Sequence, residues 1–286
     1  LWFEEYPSNP SSYVLNGFIY AIYGLYDYFR ITKNKTAKKF IAESNKTLIE
    51  NIHKYDCFYW SKYDLLKKEL VGKKPLIGFI GSPWTVATYV VEGNSSKTFT
   101  NVLKMLKHDE KLLHKILDML TDISIEYLNK QIESGIDVAM IFDTWGSLLN
   151  DEQYEKFSLR YINKIKNAIA NPDIPLIYYV RETGKKLKAL KNLDIDVLGI
   201  DSTTEIGVIK KQIGDKFTLQ GNLDVNILKK DESDIIAAIK NILISYGSNS
   251  GHIFNLGTGI TPDINPDKVK MLIDNLADIS SKFHVK

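Results

Sequence analysis

Six short apolar runs, each leading into a polar residue at its far end and each separated from the next by helical spacing, set the fold of most of this chain. They are PLIGFIG (75–81), DVAMIFD (137–143), IPLIYYV (174–180), DVLGID (196–201), FTLQGNL (217–223) and HIFNLG (252–257). Runs with apolar residues at consecutive positions need both faces covered, which is the condition of a parallel sheet flanked by helices. Helical patterns fall between them near 151–171, 183–192, 204–213, 230–246 and 266–283, after a long helical zone from about 95 to 135. The reading is an α/β fold, an incomplete (β/α)8 TIM barrel of about six βα units. A closed barrel takes about 250 residues, and residues 70–286 fall about two units short of that. Asp143, Thr144, Arg181, Asp201, Asn222 and Asn255 sit at strand ends, on the rim where barrel active sites lie.

Residues 1–66 follow a different grammar. From Ser11 to Arg30 apolar residues recur with helical spacing (Val14, Phe18, Ala21, Ile22, Leu25, Tyr26, Phe29), and a second amphipathic helix is expected over Thr36–Lys54. The two imply a helical hairpin, so the chain divides into a helical segment, 1–66, and a partial barrel, 67–286. The change falls near Asp64–Leu70 without a Pro/Gly/Ser linker. The opening Leu1-Trp2-Phe3, aromatic and without Met, reads as a cut.

Thirty-seven basic and thirty-five acidic residues leave a net charge of +2, spread over mixed helix faces. No basic stripe of the kind that neutralises phosphates emerges, so nucleic acid is not an expected partner. One cysteine, Cys57, excludes an internal disulfide, and five scattered histidines (His53, His108, His114, His252, His284) give no metal-ligand spacing. No apolar run approaches the roughly 20 residues of a membrane span. These features predict a cytoplasmic protein with no metal and no membrane partner.

The stretch FIGSPWTVATYVVEG (79–93) reads as a strand and then a turn in which Gly81 and Pro83 set the backbone, with Trp84 and Tyr89 able to line a flat pocket. Taken with IFDTWGSLL, GIDSTTEI, LQGNLDVNIL and GHIFNLGTGITPDINPDKV, in that order, it resembles the uroporphyrinogen decarboxylase family over about residues 68–286. The resemblance implies a carboxy-lyase without a cofactor. Such enzymes remove the four acetate carboxyl groups of uroporphyrinogen III to give coproporphyrinogen III, in porphyrin and heme biosynthesis. It also implies a small-molecule tetrapyrrole substrate and a homodimer. Tyr89 matches the family's active-site tyrosine, and Thr144 the position of a substrate-contacting Ser or Thr, with Phe142 and Asp143 beside it. Arg181 sits where bacterial members carry an arginine, although the Pro and Gly that surround it in the family are Val180 and Glu182 here.

Two departures accompany the match. The family's amino-terminal part, with an RQAGRY-like motif and a later aspartate that holds the pyrrole NH groups, has no counterpart in this sequence. Where the family has NLGHG, this chain has NLGTG, so Thr258 replaces an imidazole and cannot carry charge. A dinucleotide reading of that glycine pair lacks the third glycine and the following helix. With charge lost on both counts, a non-catalytic tetrapyrrole binder is an alternative, and turnover by this chain is expected to be impaired.

The opening WFEEYPSNPSSYVLNGFIYAIYGLYDYF, with YDCFYWSKYDL, resembles the carboxyl-terminal domain of D-glucuronyl C5-epimerase over about residues 1–66. By that resemblance Glu5, Tyr6 and Tyr63 fall at active-site positions, and the further alternative is a polysaccharide-modifying protein. The aromatic residues Tyr20, Tyr23, Tyr26 and Tyr28 read as packing. The chain as a whole reads as a chimera of two enzyme fragments, joined by natural fusion or by an assembly error.

Overall fold

The computed structural model describes residues 25, 29–30, 32–51, 74–93 and 96–283. The chain forms two compact units, Leu1–Lys74 and Pro75–Lys286. In the first, helix α1 spans Lys35–Asn51, one residue from its expected start. Asn34 caps it, its side-chain oxygen accepting from the backbone N–H groups of Thr36 (2.9 Å) and Ala37 (3.1 Å), donors that a helix start leaves without partners. The expected helix over Ser11–Arg30 lies almost wholly outside the described residues, as do residues 52–54 of the second.

In the second unit the strands are β1 (Ile77–Gly81), β2 (Val138–Asp143), β3 (Leu176–Val180), β4 (Val197–Gly199), β5 (Thr218–Leu223) and β6 (His252–Leu256). They form one sheet, parallel throughout, in the order of the chain. When spatial order equals chain order, every right-handed crossover lies on the same side; a doubly wound sheet reverses part-way and carries helices on both sides. The unit is therefore an incomplete (β/α)8 barrel, with β1 and β6 as the edges of its six strands.

Side-chain alternation separates two environments. Ile80, Ala139, Ile141, Leu176, Tyr178, Val180, Leu198 and Leu219 point to the helices and join the main hydrophobic core. Residues of opposite parity, Met140, Ile177 and Val197 with Val138, Phe142 and Tyr179, pack together on the inner face. At the carboxyl-terminal end a second core gathers Leu223, Leu228, Ile235, Ile239, Leu243, Ile264 and Leu272, with Phe254 and Leu256 of β6 against it.

The helices are α2 (Pro83–Glu92), α3 (Thr100–His108), α4 (Glu110–Glu133), α5 (Asp151–Tyr154), α6 (Arg160–Asn167), α7 (Thr183–Leu190), α8 (Ile206–Ile213), α9 (Glu232–Tyr246) and α10 (Pro266–Phe283). Three differ from expectation. Residues 83–92 are a helix where a turn was expected: the Ser82 hydroxyl accepts from Thr85 N–H at 3.0 Å and Pro83 occupies the first turn, where a fixed φ favours a helix. The helical zone 95–135 is two helices that meet at Asp109, whose carboxylate accepts from Leu112 N–H and starts α4. A π turn at Glu155–Leu159 interrupts the helix expected over 151–171. Among the described residues no helix is long and apolar enough to cross a membrane.

Candidate active site

The inner face of the sheet and the turns beyond its carboxyl ends enclose a cavity of about 630 Å³. Strand parity decides which side chains reach it. Ile77 and Phe79 come from β1, Met140, Phe142 and Thr144 from β2 and its end, Tyr179 and Arg181 from β3 and its end, Gln220 from β5, and Asn255 and Thr258 from β6 and the turn after it. The wall is mostly apolar, and Arg181 is the charged side chain among the described lining residues. Phe79 meets the rings of Phe142 (5.6 Å) and, through it, Tyr179 (5.8 Å), so an aromatic strip crosses three strands.

Tyr179 donates to the carbonyl of Gly257 at 3.0 Å and ties β3 to the turn that carries Thr258. Burial, then the negative charge of Asp201, pushes its phenol up to about 12 against the opposing pull of Arg181. It therefore stays a neutral donor throughout the physiological range. Asp201 is itself buried and accepts from the backbone N–H of Thr183 at 3.2 Å, which steadies the turn after Arg181.

Of the residues expected at the site, Phe142, Thr144, Arg181 and Thr258 line the cavity. Asp143 does not. It shares parity with Ala139 and Ile141, faces the helices and is fully buried. Its Oδ1 accepts from Ser82 Oγ (2.5 Å) and Thr85 Oγ1 (3.1 Å), its Oδ2 from Ser158 Oγ (2.6 Å) and Tyr178 OH (2.7 Å). Tyr89 stands on α2, 42% exposed, outside the set that lines the cavity. Its oxygen accepts from Trp145 Nε1 at 2.8 Å, and the Arg181 guanidinium lies 5.2 Å from the centre of the Trp145 ring. Trp84, expected at the pocket wall, is fully buried instead and donates to the Trp145 carbonyl at 2.9 Å. Glu5, Tyr6 and Tyr63 lie outside the described residues.

Tyr179, Gln220 and Trp145 were not singled out as site residues. For Tyr179 the signal was present in its even spacing from Arg181 along one strand. Among the described residues no three His, Cys, Asp or Glu side chains gather as metal ligands.

Comparison with known proteins assigns the family. The model of the family described as uroporphyrinogen decarboxylase matches residues 48–278. This chain belongs to the uroporphyrinogen decarboxylase family. Relatives of that name include those of Hahella chejuensis, 43% identical over 224 residues, and Tolumonas auensis, 44% identical over 223. Each alignment covers 77% of this chain, and the chain spans 63% of the length of either relative. The model described as D-glucuronyl C5-epimerase C-terminus matches residues 1–80, so residues 48–80 are matched by both families. Among solved structures, a methyltransferase from Methanosarcina mazei superposes with a TM-score of 0.66 at 21% identity, covering 76% of this chain and 62% of its own. A B12-independent methionine synthase from Shewanella sp. W3-18-1 gives 0.57 at 10% identity, covering 77% of this chain and 65% of its own. At these identities the likeness is one of fold.

Glu182, the residue after Arg181, adopts φ +55°, ψ +43°. A side chain in this left-handed region costs about 1–2 kcal/mol that glycine avoids. The Glu182 side chain makes no capping bond to α7 and pairs with Lys185 at 2.7 Å on the surface, a contact worth little. Glu182→Gly is expected to stabilise the fold by about 1 kcal/mol and raise the thermal midpoint by about 2–4 °C, read by circular dichroism. An unchanged or lower midpoint counts against it.

Proposed function

We propose that the Pro75–Lys286 unit carries the substrate-binding wall of a uroporphyrinogen decarboxylase, and that its ligand is a tetrapyrrole bearing carboxylate side chains. The observation that carries this reading is a single guanidinium, Arg181, set in a mostly apolar cavity beside the Thr144 and Thr258 positions and braced against Trp145. Apolar and aromatic walls suit the flat face of a pyrrole ring, while a guanidinium anchors a carboxylate in two-point fashion.

In the proposed reaction, protonation of the pyrrole ring creates an electron sink. The bond between the acetate methylene and its carboxylate carbon then breaks, its electron pair neutralising the ring cation as carbon dioxide leaves. A proton added to the methylene completes a methyl group, and the ring releases the proton it first took up, so one proton is consumed per carbon dioxide lost. Thr144 and Tyr89 are the groups proposed to hydrogen-bond the departing carboxylate. Arg181 and Thr258 hold carboxylates that do not react, and Phe142 faces the ring. With one cation on the described wall, slow turnover is the expected behaviour. The same reading makes the protein a cytosolic homodimer.

Two measurements on the full chain test it. Uroporphyrin fluorescence should be quenched saturably on titration, and anaerobic incubation with uroporphyrinogen III should yield coproporphyrinogen. Quenching without product favours a non-catalytic binder; absence of both sinks the reading. For residues 1–66 the match to the epimerase stands on sequence alone, because Glu5, Tyr6 and Tyr63, the active-site positions it implies, lie outside the described residues.

A further inference from the structure

Trp145 has no chemical role in the reaction above and is not among the residues that line the cavity, yet its backbone and its ring are both tied to named partners. Both of its backbone polar groups are tied to α2: its N–H donates to Thr85 Oγ1 at 3.1 Å, and its carbonyl accepts from Trp84 Nε1 at 2.9 Å. Its ring packs 4.7 Å from that of Phe99, lies 5.2 Å from the guanidinium of Arg181, and donates through Nε1 to Tyr89 at 2.8 Å. Phe99 is itself buried.

The polarity of these bonds has a definite sense. The Thr85 hydroxyl has one proton, and the geometry directs it to the Asp143 carboxylate at 3.1 Å, leaving a lone pair to accept from Trp145 N–H. The indole N–H can only donate, so Tyr89 must accept from it and keeps its own proton for another acceptor. Donation therefore runs inward from the Trp145 backbone N–H through Thr85 to the buried carboxylate, and outward from the Trp145 indole to the exposed phenol.

We propose that Trp145 is the positioning residue of this site, set in place by Asp143 through Thr85, and that it fixes two groups at once: the Arg181 guanidinium by a cation–π contact, and the Tyr89 phenol as a hydrogen-bond donor. The proposal rests on the tetrapyrrole reading for its ligand but not for its geometry. Thr144, between Asp143 and Trp145 in the chain, is held by the same clamp. The substrate groups so recognised are two carboxylates on one ligand, one meeting the guanidinium and one the phenol.

The test uses the full chain with 15N-labelled tryptophan. Trp145→Phe assigns the Trp145 indole resonance, and Tyr89→Phe, which removes only an exposed hydroxyl, is expected to move that resonance upfield as its acceptor is lost. Thr85→Val, equal in volume, is expected to move it too, and Thr85→Ser to restore it. A resonance indifferent to both Tyr89→Phe and Thr85→Val overturns the proposal; should Thr85→Val fail to fold, Tyr89→Phe and Thr85→Ser still decide it.

Uroporphyrin titration supplies the second readout. Trp145→Phe and Tyr89→Phe are each expected to weaken binding about fivefold, the effect of one hydrogen bond, and the double variant to be little weaker than either alone. Fully additive losses overturn the coupling. If the wild-type chain binds no porphyrin, the tetrapyrrole reading fails while the indole resonance still reports on the clamp.

Discussion

Asp143→Ala is expected to lower the thermal midpoint of the Pro75–Lys286 unit by about 10–30 °C, or to abolish its cooperative transition. The carboxylate is fully buried and accepts from four hydroxyls, on Ser82, Thr85, Ser158 and Tyr178. Those four donors belong to the start of α2, the π turn and β3, so one side chain joins three elements to β2. Alanine leaves them facing a void. A buried donor without a partner costs about 1–3 kcal/mol, and some relief comes from Tyr178, whose hydroxyl also bonds that of Tyr154. A total of about 4–8 kcal/mol remains, set against a usual net stability of roughly 5–15. Asp143→Asn keeps one acceptor oxygen but turns a second donor toward donors, and should fall between wild type and alanine. Near-UV circular dichroism follows the transition; a loss below about 5 °C for Asp143→Ala would mean that the hydroxyls find other partners.

The second large effect concerns binding. Arg181→Met, which keeps much of the side-chain volume, is expected to weaken uroporphyrin affinity about 10- to 150-fold, the equivalent of one charge-assisted hydrogen-bonded contact. Its salt dependence should flatten as well, because the wild-type cavity loses its charged lining residue among those described. Arg181→Lys restores the charge but not the planar, two-point guanidinium that lies over Trp145, and should recover only part of the affinity. An Arg181→Met chain that binds as wild type does would move the anchoring of the ligand elsewhere and remove the main support for the tetrapyrrole reading.

What was legible in the sequence and what was not follow from different physics. The strands of a parallel sheet are covered on both faces, so they appear as unbroken apolar runs, and all six were readable as such. Strand parity is a finer property. Phe142, Asp143 and Thr144 are adjacent in sequence and were grouped as one site, but alternation sends Phe142 and Thr144 into the cavity and Asp143 toward the helices. The same alternation hid Tyr179 inside an apolar run. Around Trp84 the punctuation misled: Gly81, Ser82 and Pro83 together suggest a turn, and only the capping bond from Thr85 N–H to Ser82 shows them to be the start of a helix. Trp84 consequently lies beneath the rim, holding Trp145 from behind.

The division of the unit into two cores has a consequence for its fluctuations. Arg181 and Thr144 follow strands that belong to the main core, whereas Asn255 lies on β6 and Thr258 follows it, and Phe254 and Leu256 of that strand pack into the second core with α9 and α10. Segments with separate cores open separately, each with its own free energy. A ligand that touches Arg181 and Thr258 together binds only when both are closed, and so draws its affinity partly from the carboxyl-terminal segment's probability of being closed. Amide hydrogen exchange in β6 and α10 should then slow on ligand binding more than in β2 and β3, although the charged contact lies at the end of β3.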